Sequence, residues 1–170
     1  GFIMADGPHG VRDGLATSFP VGIAMAATWD TALARRVGAA MGKEFRAKGK
    51  NQMLGPAMDM TRDPRNGRTP ESGGEDPVLN ALINAAVTKG VQSTPVIATI
   101  KHYNGKHRQN NRTNNNYIIS QRQLMEHYGV NFRKSVQDAG AFCVMSSYNL
   151  VNGSQAAESF PLLTNILRTE

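Results

Sequence analysis

Val96-Ile97-Ala98-Thr99-Ile100-Lys101-His102 decides how this chain is read: a short, mostly apolar run stops abruptly at a cation and an imidazole. Charged groups placed where a buried strand ends are the usual layout of an α/β active site, whose chemistry sits on the loops beyond the strands. A second run, Phe2–Ala5, closes in the same way on Asp6-Gly7-Pro8-His9-Gly10-Val11-Arg12. Two more runs follow the same rhythm, Gln52–Met60 and Ala141–Met145. The four begin at residues 2, 52, 96 and 141, so their starts lie 50, 44 and 45 residues apart.

Helical patterns fill the intervals. Asp30 opens one, with Leu33, Val37, Met41 and Phe45 at i,i+4 spacing, Lys48 in its last turn and Gly49 to end it. Asp76-Pro77 opens another as an N-cap followed by proline at the first helical position; Leu79, Leu82, Ile83 and Val87 form its stripe and Gly90 is expected to end it. Ser120-Gln121-Arg122-Gln123 fits a capping box ahead of Leu124, Tyr128, Phe132 and Val136. A last helix is expected from about Pro161, carrying Leu163, Ile166 and Leu167 to Glu170. Strand–helix alternation with long crossovers implies a parallel sheet with right-handed connections, and continuous apolar runs imply strands covered on both faces. About four βα units of this kind fit either a small doubly wound sheet or half of a barrel. The absence of Gly-x-Gly-x-x-Gly and of Gly-Lys-Ser/Thr argues against a nucleotide-binding sheet. The chain reads as one incomplete domain over residues 1–170, opening inside a strand and stopping inside a helix.

The bulk composition fits a soluble globular domain. One domain is the prior for 170 residues, with 40% hydrophobic and 19% charged residues and 17 glycines. No stretch is both long and apolar enough to cross a membrane, since Pro20, Gly14 and Gly22 interrupt the uncharged residues 14–29. Cys143 has no second cysteine to pair with, which leaves the compartment open. The net charge of +6 is local: residues 100–135 hold seven Lys/Arg and one acid, Glu126, and the rest of the chain holds twelve of each sign. A basic binding module for nucleic acid would use such a segment, but it lacks the interleaved aromatics of a stacking platform, and a solvated loop and helix face is the plainer reading.

Two long loops, 61–75 and the asparagine-rich 103–119, follow the second and third strands. Loops of this length are functional or disordered. The polar groups near the strand ends are Asp6, Arg68, Lys101, His102 and Tyr148. Together they make a hydrogen-bonding cup suited to a polyhydroxylated ligand, whose hydroxyls donate to a carboxylate and accept from cations. His9 reads as a structural donor in its turn, and Arg62 and Arg65 as partners for acids of their own loop. Met145, alternating with Val144, reads equally as packing or as a wall of the cup, and Trp29 as core. His102, His107 and His127 are spaced five and twenty apart with no acid or cysteine to complete a metal set.

A series of short motifs resembles glycoside hydrolase family 3. It begins with Asp6-Gly7-Pro8-His9-Gly10-Val11-Arg12, Thr17-Ser18-Phe19-Pro20 and Ala26-Ala27-Thr28-Trp29-Asp30. It continues through Gly55-Pro56-Ala57-Met58-Asp59, Arg62-Asp63-Pro64-Arg65-Asn66-Gly67-Arg68 and Glu75-Asp76-Pro77. Gly90-Val91-Gln92-Ser93, Ala98-Thr99-Ile100-Lys101-His102-Tyr103, Val144-Met145-Ser146-Ser147-Tyr148-Asn149 and Asn152-Gly153 complete it. The series spans nearly the whole chain in family order. Residues 104–112 depart from it: the family often carries an Asn-Asn-Gln-Glu-like sequence there, and this chain has extra cations and no acid.

The resemblance implies the first half of a (β/α)8 TIM-like barrel and hydrolysis of terminal β-glucosyl residues with retention; a degenerate family member whose barrel persists as an interaction scaffold is the alternative beside the basic binding module. The resemblance also implies sugar-binding roles for Asp6, Arg68, Lys101, His102, Met145 and Tyr148, and no cofactor or metal. The family's nucleophilic aspartate falls on the next strand, beyond Glu170, and its acid/base glutamate comes later still. A retaining glycosidase needs two carboxyls roughly 5–5.5 Å apart, so no catalytic residue is assigned within this chain. The implied ligand is a β-linked glucoside or oligosaccharide, with further barrel segments or self-association needed to complete the fold. No nucleic-acid or membrane partner is implied, and the family leans towards a periplasmic or extracellular setting. The missing proline after Lys101-His102-Tyr103 sets the chain apart from the family's N-acetylglucosaminidases.

Overall fold

Asp30 and Asp76 start the two long helices as their sequences require. Asp30 accepts a hydrogen bond from the Leu33 amide at the head of a helix over Thr31–Ala47, and Asp76 accepts from the amides of Val78 and Leu79 at the head of one over Pro77–Gln92. In this computed structural model, which describes residues 1–169, these are α2 and α3; a short α1 (Gly22–Ala26) precedes them. They cover a parallel sheet of four strands, β1 (Met4–Asp6), β2 (Gln52–Leu54), β3 (Ile97–Tyr103) and β5 (Cys143–Ser146), in the spatial order β1-β2-β3-β5. Between β3 and β5 lie β4 (Asn116–Tyr117), α4 (Gln121–Gln123), a π-helical stretch at Leu124–Tyr128, and α5 (Val130–Gln137). Ser120 and Gln123 form the capping box that starts this run. After β5 come β6 (Leu150–Val151), β7 (Ser154–Gln155) and a π-helical segment over Pro161–Ile166; Glu170, where the last helix was expected to stop, lies outside the described residues. Four adjacent parallel strands with their crossover helices are a partial (β/α)8 barrel, and the sheet is open.

Two cores hold the layers. Phe45, Met41 and Ala34 of α2 meet Ile83, Val87 and Val91 of α3 over Met53 and Ala98 of the sheet. Ile100 and Tyr103 of β3 pack with Met58, Leu124, Tyr128, Phe132 and Leu162 in the other, where the Tyr103 ring meets Phe132 edge-on at 5.1 Å.

Several expectations need correction. Gly90 does not end α3, which continues to Gln92; it lets α3 press against α2, because a Cβ there would run into the Arg35 carbonyl and sit 2.8 Å from the Ala39 amide nitrogen. Leu82 faces solvent, outside the stripe. Val136 leaves its stripe too: past the wider π-helical turn, α5 buries Asn131 and Ser135 beside the expected Phe132. Trp29 is not core. It stands 74% exposed in the turn between α1 and α2, with its backbone at φ 56°. The strands are not covered throughout: β3 is buried from Ala98 to Tyr103, whereas β1 and β5 end the sheet with Met4 exposed and β5 half-buried. β2 ends at Leu54, well short of the Gln52–Met60 run.

The two long loops carry their own backbone contacts. Residues 61–75 close on themselves through Thr61 N–H donating to the Gly74 carbonyl and carry a 3-10 turn at Thr69–Glu71. In 103–119, β4 pairs with β6, which turns back into β7 across Asn152-Gly153, and the Asn152 side chain clamps both backbone groups of Ile119 at 2.8 Å.

Candidate active site

The end of β3 carries the cluster. Its ladder with β5 pairs Lys101 with Met145 and Tyr103 with Ser146, so His102 has no opposite number. Such an irregularity re-aims a side chain, and here two consecutive residues both reach polar partners. Lys101, with a side chain 3% exposed, crosses over β2 to place its Nζ 2.6 Å from Oδ1 of Asp6 at the end of β1. The Asp6 side chain remains 46% exposed. Burial alone would raise the Asp6 pKa, but the Lys101 hydrogen bond and charge, with Arg12 and Arg68 nearby, hold it below the usual carboxylate value.

His102 is built into a second chain of contacts. Past Pro56 the backbone stays beside β3, with the Met58 amide donating to the Lys101 carbonyl, and this delivers Asp59 to His102. Asp59 Oδ1 accepts from the His102 amide at 3.2 Å and Oδ2 lies 2.7 Å from its Nδ1. On the other side, Arg68 Nη1 lies 3.1 Å from His102 Nε2. A guanidinium can only donate, so Nε2 accepts and Nδ1 carries the proton towards Asp59. His102 is therefore neutral, in keeping with a pKa that burial lowers against the opposing pull of Asp59. Arg68 is itself held by two parallel bonds to Glu71, at 3.0 and 2.8 Å, which raise its pKa. For Glu71 burial works upwards and Arg68 more than cancels it. Lys106 reaches within 3.8 Å of Asp59 from a buried position. Its pKa is lowered by burial, while that of Asp59 falls below the ordinary value in spite of burial, through His102 and Lys106.

The structure thus brings together Asp6, Lys101, His102 and Arg68 of the residues singled out by sequence. Met145 neighbours Lys101 in the ladder and is half-buried. Tyr148 is exposed beyond β5; the Arg112 guanidinium lies 4.9 Å from its ring centre, and its phenol joins no hydrogen bond of the network among the described residues. Asp59, Glu71 and Lys106 were missed as members. Glu71 carries a legible signal, an acid three residues after Arg68 on a turn. Asp59 and Lys106 carry none until the backbone path is known. Arg65 pairs with Asp63 of its own loop, whereas Arg62 turns to the Tyr128 hydroxyl at 3.4 Å. Among the described residues no three His, Cys, Asp or Glu side chains are arranged to hold a metal.

Chemically the arrangement suits holding a polar ligand. Asp6 keeps accepting capacity, and Lys101 and Arg68 keep donors beyond those used internally. All three acids of the cluster have pKa values drawn downwards. A general acid needs the opposite shift.

The profile of the glycosyl hydrolase family 3 N-terminal domain matches residues 2–170. The chain belongs to this family. A probable beta-glucosidase I of Aspergillus flavus is 39% identical over 98% of this chain and 21% of its own length, and a beta-glucosidase of Rhizobium radiobacter is 40% identical over the same shares. Beta-glucosidase 3B from Thermotoga neapolitana in complex with alpha-D-glucose superposes with a TM-score of 0.94 at 39% identity, over 99% of this chain and 25% of that one. Beta-glucosidase from Kluyveromyces marxianus in complex with glucose gives 0.96 at 38%, over 99% and 21%. The family 3 chain described here spans about a fifth of the length of the curated relatives it matches.

Proposed function

We propose that this chain forms the first half of a family 3 barrel and holds the terminal glucosyl residue of a β-glucoside. The protein carrying it would hydrolyse that bond with retention. The observation that carries this reading is the pair of interlocked networks at the strand ends, Asp6–Lys101 and Glu71–Arg68–His102–Asp59, which offer fixed donors and acceptors to a polyol. Asp6, Arg68, Lys101 and His102 are the sugar contacts, with Met145 beside Lys101 and Tyr148 on the rim. The glucose-bound relatives support glucose as the glycone.

The bond-breaking carboxyls lie outside this chain. Asp6 is paired with Lys101, Asp59 with the His102 ring N–H and with Lys106, and Glu71 with Arg68, and the lowered pKa values of all three do not suit protonation of a leaving group. The remaining barrel segments supply the bond-breaking carboxyls. The test is an assay of the chain by itself on 4-nitrophenyl β-D-glucoside: no turnover is expected, and turnover within about three orders of magnitude of a typical enzyme's would contradict the assignment.

The basic-module alternative finds less support. Of the seven cations in residues 100–135, Lys101, Lys106, Arg108, Arg122 and Lys134 are each within ion-pair distance of an acid. Their charge is divided among separate parts of the fold.

A further inference from the structure

Beyond the sugar network the loops 61–75 and 103–119 enclose an open polar basin of about 600 Å³, lined by Arg62, Asp63, Arg65, His107, Arg108 and Tyr117. A second hollow of about 320 Å³ shares Asp63, Arg65 and Arg108 with it. Three guanidiniums here face a single carboxylate. Asp63 accepts from Arg65 at 2.9 and 3.0 Å and from Arg108 at 3.2 and 3.0 Å, so one acid locks two arginines from different loops in fixed orientation. Each of those guanidiniums spends two of its five N–H groups on Asp63 and keeps three. Their side chains are 80% and 53% exposed. The Asp63 carboxyl is held far below its usual pKa, first by the Arg65 hydrogen bonds. It therefore stays a fixed clamp. Arg62, whose hydrogen bond to the Tyr128 hydroxyl is a long 3.4 Å, adds a further positive charge. In the same basin the His107 and Tyr117 rings meet with centroids 4.0 Å apart, tilted by 41°. His107 donates through Nδ1 to the Gly105 carbonyl, and burial with Arg62 and Arg108 nearby lowers its pKa, so the ring is an uncharged flat surface.

We propose that this basin binds a small oxyanion, a carboxylate or a phosphate, through the outward donors of Arg62, Arg65 and Arg108, with a flat ring accommodated against Tyr117 and His107. Fixed guanidinium pairs suit planar or tetrahedral oxyanions, which accept two bonds at once. A concave site of this volume suits a small molecule. The basin adjoins the sugar site, since Lys106 beside Asp59 is followed directly by His107 and Arg108. On the β-glucosidase reading, on which this part rests, the oxyanion belongs to the aglycone.

The experiment uses the whole protein that carries this chain and two probes of the same shape, 4-hydroxybenzoate and the uncharged 4-hydroxybenzamide, with inorganic phosphate as a third. Binding is read by titration and by amide NMR shifts. The expected result is benzoate binding roughly ten-fold or more tighter than benzamide, with shifts at residues 62–65 and 107–117. The preference weakens in about 0.5 M salt and is largely lost in Arg108→Gln. Phosphate binding more tightly than the benzoate still supports the site and assigns it to a free oxyanion; the reverse order assigns it to the aglycone. Equal binding of the two aryl probes, shifts elsewhere, or an oligonucleotide binding where neither small anion does would each overturn the proposal. Hydrolysis of an aryl β-glucoside is measured separately, so a protein that binds the benzoate but cleaves nothing retains the anion site and loses the glucosidase reading.

Discussion

His102 is the residue whose state the structure defines most closely. Arg68 can only donate to its Nε2, and Asp59 waits at its Nδ1. The imidazole is therefore expected to resonate as the neutral Nδ1–H tautomer at pH 7 in 15N NMR. A doubly protonated ring would contradict this. The pH dependence follows in sign. The His102 pKa is lower in the folded chain than the ordinary 6.5, so the unfolded chain takes up its proton first and stability falls as pH drops below about 6.5. His107 and His127, also lowered, act in the same window. Asp6, Asp59 and Glu71 are lowered acids: their contribution is complete above the ordinary values of 3.8 and 4.5 and is lost as pH falls through the folded values. Thermal unfolding is thus expected to lose stability in two stages on acidification, and His102→Gln is expected to shrink the first stage without abolishing it. An unchanged first stage would separate His102 from the effect.

At the scale of elements, the helices rest on caps and on a close crossing. Asp76→Ala removes the acceptor for two backbone amides and is expected to cost about 1 kcal/mol in urea unfolding. Gly90→Ala is the more telling change. Alanine gains roughly 1 kcal/mol in helix propensity, yet a Cβ at Gly90 meets the α2 backbone, and overpacking of this kind costs roughly 1–3 kcal/mol. A net loss is expected, against little change for Gly67→Ala, where the nearest atom is 3.9 Å away; a gain for Gly90→Ala would refute the close crossing. These elements also mark what could be read from sequence. Asp30, Asp76-Pro77 and Ser120…Gln123 announce helix starts because caps are local chemistry. Gly90 misleads because its use is tertiary: the same residue that ends helices also lets two of them touch. Asp59 escaped notice for a similar reason, since it meets His102 through a path set by Pro56 and the neighbouring strand. Lys101, His102, Asp6 and Arg68 were legible because polar groups at the ends of apolar strands or on the loops that follow them have few structural reasons to be there.

For the whole molecule, the open sheet is the dominant fact. Phe2, Ile3 and Met4 on the β1 side and Phe142 and Phe160 on the β5 side lie exposed. Unpaired strand edges and apolar surface of this kind drive association. The chain by itself is expected to sediment as oligomers and to bind a hydrophobic dye; a monodisperse, dye-silent monomer would show that its edges need no cover. The central claim concerns the cluster above that sheet, which should hold glucose while leaving bond cleavage to residues elsewhere. Calorimetric titration of glucose into the protein that carries this chain tests it most directly, comparing the parent with Asp6→Asn, a change that keeps the side chain's shape but removes its charge. Hydrogen bonds to charged groups contribute about 1.5–3 kcal/mol, so glucose affinity is expected to fall at least ten-fold with the fold retained by circular dichroism; equal affinity in the two proteins would contradict the account.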